Sequence, residues 1–319
     1  MSKRGARFGM ILVVNLNLAV DYLLGVRALR PGEVHRATGS ARMPGGKGVN
    51  AARVLKTLGE PALLTGFLGG RAGEEIADGL RAEGVEFDCV RVGGESRTCL
   101  ILCDDEARAQ TVVNEPGPAL TAGEWGEFNR AFTRLVRDSN LIIITGSLPP
   151  GLPADSYARL VNAARSAGKE TLLDCAGPAL SEALKAGPRF VKVNGAEAAA
   201  LLGREVEGLD AAAAAAAEIV KSGAGGAMVT LGALGAVLDD GGAVHRLTPP
   251  RVEAANSVGS GDAALAGLAA AMRRGQTAET AGRLAVAAGA ANALRGMGRC
   301  TAEEIEEMLR GVVCETARG

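Results

Sequence analysis

Aromatic residues are scarce in this sequence, making up 3% of its 319 positions. Proteins that bind single-stranded nucleic acids stack the bases on aromatic side chains, so no stacking platform of that kind is expected. Neither sign of charge dominates, because 35 lysines and arginines stand against 36 aspartates and glutamates, for a net charge of −1. Without an excess of positive charge to neutralise phosphates, we expect no nucleic-acid partner.

Histidines and paired cysteines are also few. The two histidines, His35 and His245, stand in no metal-ligand pattern, and the six cysteines form no CxxC pair. The sequence therefore indicates neither a zinc site nor a histidine-based catalytic triad. We expect reduced thiols in a cytosolic protein.

Long apolar runs are missing as well, since no stretch reaches the roughly 18 residues of a membrane span. The basic residues 1–7 and apolar residues 10–14 resemble a secretion signal, but Asn15 and Asn17 interrupt the apolar run and no A-x-A cleavage site follows. A first strand ending near Asn15 explains the pattern better. We expect a soluble, cytoplasmic protein without a membrane partner.

Glycine, by contrast, occupies 45 positions, and short β-branched or leucine-rich runs alternate with helical patterns along most of the chain. The predicted strands are residues 11–15, 62–67, 141–145, 171–174, 190–193, 227–231 and 236–238. The predicted helices are residues 48–58, 74–83, 121–137, 154–166, 195–202, 211–221, 263–273, 278–294 and 302–313. This alternation predicts an α/β fold with right-handed crossovers, in which helices cover both faces of a mostly parallel sheet.

Two polar-alternating stretches, residues 33–42 and 95–113, break the alternation and are predicted to be extended. Without helices between them, such strands would form a small second sheet that projects from the main one as a lid. No internal repeat or Pro/Ser-rich linker divides the chain. We therefore expect one domain over residues 1–319, with lid strands from about residues 18–44 and 95–114.

The most informative segment is Ser257-Val-Gly-Ser-Gly-Asp-Ala263, which opens an alanine-rich helical pattern. Glycines at a helix start let backbone N–H groups converge on an anion, and the helix dipole adds positive potential there. A phosphate suits such a place. An acidic residue such as Asp262 is equally common in a first helical turn, so this segment alone leaves a plain helix cap open.

A second glycine turn, Gly45-Gly46-Lys47-Gly48-Val49-Asn50, also leads into a helix, and its amide side chain can hydrogen-bond a hydroxyl. The Walker A pattern is absent, and the first strand does not lead into GxGxxG, which counts against a dinucleotide-binding oxidoreductase. Asp21 follows the first strand, where open α/β sheets place ligand contacts.

In this order, these features resemble the PfkB (ribokinase-type) family of sugar kinases over essentially the whole chain. Four further segments stand in family order: Asn114-Glu-Pro-Gly-Pro118, Thr145-Gly-Ser-Leu-Pro-Pro-Gly-Leu-Pro153, Lys192-Val-Asn194-Gly-Ala-Glu197 and Val229-Thr-Leu-Gly-Ala-Leu-Gly-Ala236. The first two of them, together with residues 32–36, resemble the 1-phosphofructokinase and tagatose-6-phosphate kinase branch. Departures such as Ser260 in place of the family's usual alanine remove no charged group, so they bear on the sugar rather than the reaction.

The resemblance implies a ribokinase-like three-layer α/β/α fold with a mostly parallel central sheet and a small β-sheet lid. It also implies an ATP- and Mg²⁺-dependent kinase acting on a hydroxymethyl group of a ketohexose phosphate. Fructose 1-phosphate, converted to fructose 1,6-bisphosphate, is the expected sugar, with tagatose 6-phosphate as the alternative. Exposed lid strands have unpaired edges, so we expect a homodimer formed through them.

Residue roles follow from the resemblance position by position. Asp262 is implied as the catalytic base, with Gly259, Ser260 and Gly261 around the transferring phosphoryl group. The implied sugar contacts are Asp21, Gly45, Gly46, Lys47, Asn50, Arg97 and Arg36. The implied nucleotide contacts are Lys192, Asn194, Glu197, Thr230, Gly232, Ser257, Gly259, Gly261 and Asn292. Asn194 and Glu197 are also implied as holding Mg²⁺, partly through water.

Several alternatives stay open. Lys47 could be a solvated lysine at a helix start, Asn194 and Glu197 a capping box, and Arg36 a salt bridge within the lid. A kinase for an unphosphorylated sugar or a nucleoside is a rival function, and Arg97 with the NEPGP segment favours the phosphosugar. A non-catalytic nucleotide-binding regulator is a rival of another class, which the intact GSGD segment disfavours.

Overall fold

A computed structural model describes residues 9–318 of the chain. The basic residues 1–7, considered above as part of an export signal, lie outside the described residues, whereas apolar residues 10–14 belong to the first strand. Within the described part, none of the helices has the length and hydrophobicity that crossing a bilayer would require.

Strands and helices alternate along most of the chain. The strands are β1 (Met10–Asn15), β2 (Ala19–Val26), β3 (Gly39–Gly45), β4 (Ala62–Gly69), β5 (Val90–Val92), β6 (Arg97–Asp104), β7 (Ala109–Asn114), β8 (Ser139–Thr145), β9 (Glu170–Asp174), β10 (Phe190–Asn194), β11 (Ala227–Thr230), β12 (Ala236–Asp239), β13 (Ala243–Thr248) and β14 (Val313–Arg318). The helices are α1 (Lys47–Thr57), α2 (Gly70–Glu83), α3 (Ala122–Asp138), α4 (Ser156–Ser166), α5 (Gly177–Leu184), α6 (Gly195–Leu202), α7 (Gly208–Lys221), α8 (Ser260–Arg273), α9 (Ala278–Ala293) and α10 (Ala302–Gly311).

The main sheet has the strand order β14-β13-β12-β11-β10-β9-β8-β1-β4-β5. Pairing is parallel from β5 through β11 and antiparallel from β11 to β14. Parallel neighbours need helical crossovers, which explains the alternation seen in the sequence.

Alternate side chains of each central strand enter opposite cores. In β1, Ile11 and Val13 belong to one core with residues of α1, α2, α8, α9 and α10. Leu12 and Val14 belong to the other core with residues of α3 to α7. The sheet is thus buried on both faces, and the predicted three-layer α/β/α fold is confirmed.

The lid is a four-stranded sheet in the order β3-β2-β6-β7. The prediction of extended structure over residues 95–113 corresponds to β6 and β7, which pair antiparallel. The prediction over residues 33–42 is wrong in its first half, because β3 begins only at Gly39. Residues before it form turns and irregular backbone, and Gly32 has a left-handed φ of 83°. A polar alternation cannot form a strand where the chain reverses direction and has no neighbour to pair with.

The elements that were not predicted include the short strand β5, helix α5 and strand β14. Helix α5 was not predicted, although Pro178 stands in its first turn and its apolar residues recur at helical spacing. The helix predicted over residues 302–313 corresponds to α10, which ends at Gly311, and the chain from Val313 then forms β14 and pairs with β13. That pairing depends on a partner strand far along the chain, which local periodicity does not reveal.

Candidate active site

A cleft of about 400 Å³ lies between the lid and the carboxyl ends of the parallel strands. Loops and helix starts that follow these strands converge there, as is general for open α/β sheets. Its lining is Asp21, Gly46, Lys47, Asn50, Arg97, Cys99, Ile101, Val112, Asn114, Gly146, Ser147, Lys192, Asn194, Glu197, Val258, Gly259, Gly261 and Asp262. The structure therefore brings together eleven of the predicted site residues from five separate segments of the chain.

Asp262 lies in the first turn of α8, just after Gly259, whose left-handed φ of 83° starts the helix. Its Oδ2 accepts a hydrogen bond from Asn50 Nδ2 on α1 at 2.9 Å, so the carboxylate bonds to another helix rather than capping its own. Burial raises the pKa of the Asp262 carboxyl to about 6, with Asp174 adding to the rise and two nearby lysines opposing it. At neutral pH this group is an ionised carboxylate that is basic enough to accept a proton.

The glycine turn before α8 suits an anion. Gly259 and Gly261 line the cleft at the start of a 14-residue helix, where free N–H groups and the helix dipole both favour negative charge. A Cβ at Gly261 would lie 2.5 Å from Lys192 Nζ, so the lysine ammonium reaches the same turn. Backbone donors and a buried positive charge thus meet at one point of the cleft.

Asp21 stands on the lid strand β2 and is 5% exposed. Burial raises the pKa of its carboxyl to about 6, against the opposing charges of Arg53 and Arg97. Gly45 packs directly on it, because a Cβ there would lie 2.0 Å from the carboxylate. A glycine at this position is therefore needed for the carboxylate to occupy its place at the edge of the cleft.

Asp174, which was not predicted as a site residue, does not line the cleft but contacts two lysines that do. It ends β9, is fully buried, and its two oxygens contact Lys47 Nζ at 2.6 Å and Lys192 Nζ at 2.8 Å. Burial by itself would raise the pKa of the Asp174 carboxyl, but the two lysines outweigh burial and lower that pKa to about 2. An acidic residue at the carboxyl end of a predicted strand was the available signal. Asp174 holds both ammonium groups in the cleft.

Lys47 is consequently not the solvated lysine considered as an alternative. Its side chain is 34% exposed and also contacts Glu197 Oε1 at 3.1 Å. Burial disfavours its charge, but Asp174, Asp262 and Glu197 outweigh this effect and raise the pKa of the ammonium group. Lys47 is therefore a fixed positive charge at neutral pH.

The capping box considered for Asn194 and Glu197 is present. Asn194 Oδ1 accepts from the Glu197 N–H at 2.8 Å, and Glu197 Oε2 accepts from the Asn194 N–H at 2.9 Å. Across residues 9–318, no group of three or more histidine, cysteine, aspartate or glutamate side chains could hold a metal ion. Mg²⁺ keeps several waters and takes few protein ligands, so these two oxygen-bearing side chains at the cleft fit an ion held largely through water.

Arg97 enters the cleft from the start of β6. Its Nε donates to the Asn17 carbonyl at 3.1 Å and its Nη1 to the Glu115 carbonyl at 3.3 Å. Asn17 Nδ2 donates in turn to the Pro116 carbonyl and to Ser147 Oγ, both at 3.0 Å. These contacts join the NEPGP and GSLPPG segments and orient a guanidinium that has further donors for a ligand.

Other predicted contacts lie outside the cleft lining. Arg36 is exposed in the irregular backbone between β2 and β3, outside the cleft lining, and makes no ion pair among the described residues. The lid salt bridge considered for it is therefore not formed, while its sugar contact stays a prediction. Thr230 ends β11, and Gly232 follows it with a φ of 58° and open space where a side chain would be. Ser257 is exposed just before the glycine turn. The nucleotide contacts implied for the last three residues stay predictions.

Asn292 and Ser260 support the glycine turn from behind. Asn292 is fully buried, and its Nδ2 donates to the Val258 carbonyl at 3.0 Å and to Ser260 Oγ at 3.1 Å. Its Oδ1 accepts from the Gly298 N–H at 2.7 Å. These bonds use both Nδ2 hydrogens of Asn292 within the protein, and the nucleotide contact implied for this residue stays a prediction.

A sequence profile of the pfkB family of carbohydrate kinases matches residues 10–303. Phosphofructokinase-2 from Escherichia coli, solved in complex with fructose-6-phosphate, is 30% identical, with a TM-score of 0.87 over 95% of this chain and 99% of that chain.

Two more distant solved structures share the fold. A Thermotoga maritima protein described as a possible 1-phosphofructokinase is 23% identical, with a TM-score of 0.85 over 97% of this chain and 100% of that chain. Arabidopsis thaliana ribokinase, complexed with ribose and ATP, is 22% identical, with a TM-score of 0.78 over 95% of this chain and 99% of that chain.

Proposed function

The chain belongs to the pfkB family of carbohydrate kinases and is a sugar phosphotransferase, and from that premise we propose that its acceptor is a ketohexose phosphate. ATP is the proposed donor, and a hydroxymethyl group of fructose 1-phosphate is the proposed acceptor, which gives fructose 1,6-bisphosphate. The observation that carries the proposal is the placement of Asp262, the glycine turn and the Arg97 guanidinium in one cleft. The first two suit phosphoryl transfer, and the third suits an acceptor that already carries a phosphate.

Asp262 acts in this proposal as the general base. The sugar hydroxyl oxygen attacks the γ-phosphorus of ATP, its proton passes to Asp262, and the bond to the β-phosphate oxygen breaks to release ADP. Phosphoryl transfer has a loose transition state, so positioning and charge stabilisation supply most of the rate. The hydrogen bond from Asn50 holds the carboxylate at 2.9 Å, which fixes where the proton is received.

The positive groups stabilise the charge on the transferring phosphoryl group. The N–H groups of Gly259, Ser260 and Gly261, with Lys192 beside them, suit the oxygens of the phosphoryl group in transit. Mg²⁺, held through water by Asn194 and Glu197, would neutralise phosphate oxygens when bound. Lys47 adds a fixed positive charge on the sugar side of the glycine turn.

Fructose 6-phosphate is a second candidate acceptor. The phosphofructokinase-2 that is 30% identical to this chain was solved in complex with that sugar. Both fructose phosphates carry a phosphate at one end and a hydroxymethyl group at the other, so an arginine at one side of the cleft and a base at the other suit either.

A panel of acceptors tests the proposal. The protein is mixed with MgATP and with fructose 1-phosphate, fructose 6-phosphate, tagatose 6-phosphate, free fructose and ribose in turn, and ADP is followed. We expect the highest kcat/KM with fructose 1-phosphate, and no ADP above background from Asp262→Asn with any sugar. A preference for free fructose or ribose would contradict the phosphosugar acceptor, and ATP binding without any turnover would favour the nucleotide-binding regulator.

A homodimer through the lid is a further part of the proposal. Strand β7 is an outer strand of the lid, and Val113 on it, which is not part of the cleft lining, is 55% exposed. Exposed apolar side chains on an unpaired strand edge favour pairing with a second copy. Light scattering should give twice the chain mass, and a monomer with full activity at assay concentration would contradict this.

A further inference from the structure

Arg53 is a buried arginine that does not line the cleft. It lies on α1, one turn after Asn50, and is 7% exposed. A guanidinium at that depth is costly unless all its donors are satisfied. Its partners therefore indicate what the residue is for.

All five N–H groups of Arg53 have acceptors. Its Nε and Nη2 donate to the two Glu83 carboxylate oxygens at 2.7 and 2.9 Å, in a bidentate pair. The second Nη2 proton goes to the Pro44 carbonyl at 2.7 Å. The two Nη1 protons go to the Met297 carbonyl and to Asn50 Oδ1, each at 3.1 Å. One side chain thus joins the end of β3, α1, α2 and the loop after α9.

The contact with Asn50 decides which way its amide faces. A guanidinium can only donate, so the Asn50 atom beside it must be the oxygen. The amide nitrogen then faces Asp262 and donates to Oδ2 at 2.9 Å. In the flipped orientation, the amide oxygen would face the carboxylate and the NH₂ would face the guanidinium, and both contacts would be repulsive.

The contact with Met297 supports the other side of Asp262. Met297 is a non-glycine residue with a left-handed φ of 58°, a conformation that persists only when its surroundings hold it. A Cβ at Gly259 would lie 3.3 Å from Met297 Cα, so this loop packs against the turn that precedes the base. The Met297 N–H donates to the Val258 carbonyl at 2.7 Å in the same turn.

We infer that Arg53 is a positioning residue for phosphoryl transfer, which fixes the Asn50 amide so that its nitrogen holds Asp262 and which clamps the Met297 loop against the glycine turn. The inference rests on the proposed function. Arg53 contacts neither substrate in this account, so its loss acts on kcat more than on KM.

Arg53→Lys tests this, because lysine keeps the positive charge but has no planar fork that reaches both Glu83 and Asn50. A misplaced base costs up to about 100-fold, and we expect kcat to fall about 10- to 100-fold with KM for MgATP changed less than about twofold. The acidic limb of the kcat profile should move to higher pH, because a carboxylate that loses a donated hydrogen bond is protonated more easily.

A double variant separates positioning from general damage. If Arg53 acts through Asn50, then Arg53→Lys lowers kcat by a smaller factor in an Asn50→Ala background than in the wild type, and the remaining loss comes from the Met297 loop. The matched control is Arg274→Lys, which also removes an arginine from a buried glutamate, Glu60, and from a backbone carbonyl, but far from Asp262. The control should keep wild-type kcat and the wild-type pH profile.

Glu83→Gln serves where Arg53→Lys does not fold, since it weakens the grip on the guanidinium and should lower kcat in the same direction by a smaller factor. The inference would be overturned, and the proposed function kept, if the wild type is active and Arg53→Lys has the same kcat. The same result in Glu83→Gln counts where that variant is the one used. An equal loss with and without Asn50 would overturn the route through that amide. A wild type that phosphorylates no sugar would overturn the proposed function and the inference with it.

Discussion

Replacing Asp262 by asparagine should destroy activity and at the same time stabilise the folded protein at alkaline pH. The ordinary pKa of 3.8 is raised to about 6 in the folded protein. At about 1.36 kcal/mol for each pKa unit, the ionised carboxylate destabilises the fold by up to about 3 kcal/mol. The substituted amide has nearly the same shape, still offers an oxygen to Asn50, and carries no charge to desolvate.

The sign of the pH dependence follows from the direction of the shift. Because the folded pKa is raised, the native protein with Asp262 gains stability as pH falls through about 6, and the disadvantage of the charge is complete at pH 8. Asp262→Asn should therefore raise Tm at pH 8, by about 2–4 °C for each kcal/mol gained, and the difference should shrink at pH 4.5. Differential scanning fluorimetry at the two pH values measures both.

Asp240→Asn is the control of opposite sign. Although burial opposes it, backbone N–H groups of Ala243 and Gly242 donate to Asp240 and lower its pKa. Its charge therefore stabilises the fold above its ordinary pKa, and the substitution should lower Tm at pH 8.

With the best sugar, Asp262→Asn should lose at least about 100-fold in kcat. An Asp262→Asn variant with near-normal kcat would refute the role of Asp262 as the base. A lowered Tm at pH 8 would refute the destabilisation of the fold by its buried charge.

Two further predictions concern the surroundings of the base. Asp174→Asn leaves the buried Lys192 ammonium group without its counter-charge, and Lys47 with Glu197 alone. It should cost about 3–5 kcal/mol in a urea titration, and a loss below about 1 kcal/mol would contradict the assigned pairing. Gly45→Ala places a Cβ 2.0 Å from the Asp21 carboxylate and should raise KM for the sugar about tenfold or more. The control is Gly39→Ala on the same strand, whose Cβ meets no atom within 4 Å and should leave KM unchanged. Equal KM values for these two variants would show that Asp21 does not contact the sugar.

The layered fold could be predicted from the sequence because its signals are local. Apolar runs of strand length alternate with helical periodicities, and the glycine turn at Gly259 stands directly before its helix. Strand β14 and the irregular start of the lid segment could not be predicted in this way. Whether an extended segment pairs depends on a neighbour that lies far away along the chain.

The same reason explains which site residues were missed. Asp174 lies 127 positions from Lys47, and only the closed sheet brings their side chains together. Arg53 is one turn from Asn50, but its role depends on Glu83 and on Met297, 244 positions away. Glycine turns and charged residues in a single sequence indicate which residues line a cleft. The residues that hold them in place cannot be recognised in this way, because their partners lie far along the chain.

The phosphosugar acceptor is tested most directly by comparing a sugar that already carries a phosphate with the same sugar without it. Arg97 lines the cleft, and in the proposed function its guanidinium binds the acceptor's existing phosphate through hydrogen bonds to a charged group, each worth about 1.5–3 kcal/mol. We predict that wild type strongly prefers fructose 1-phosphate to free fructose in kcat/KM, and that Arg97→Ala lowers this ratio by roughly one to two decades while barely changing turnover of free fructose. An unchanged ratio, or a wild type that treats the two sugars alike, would contradict the account.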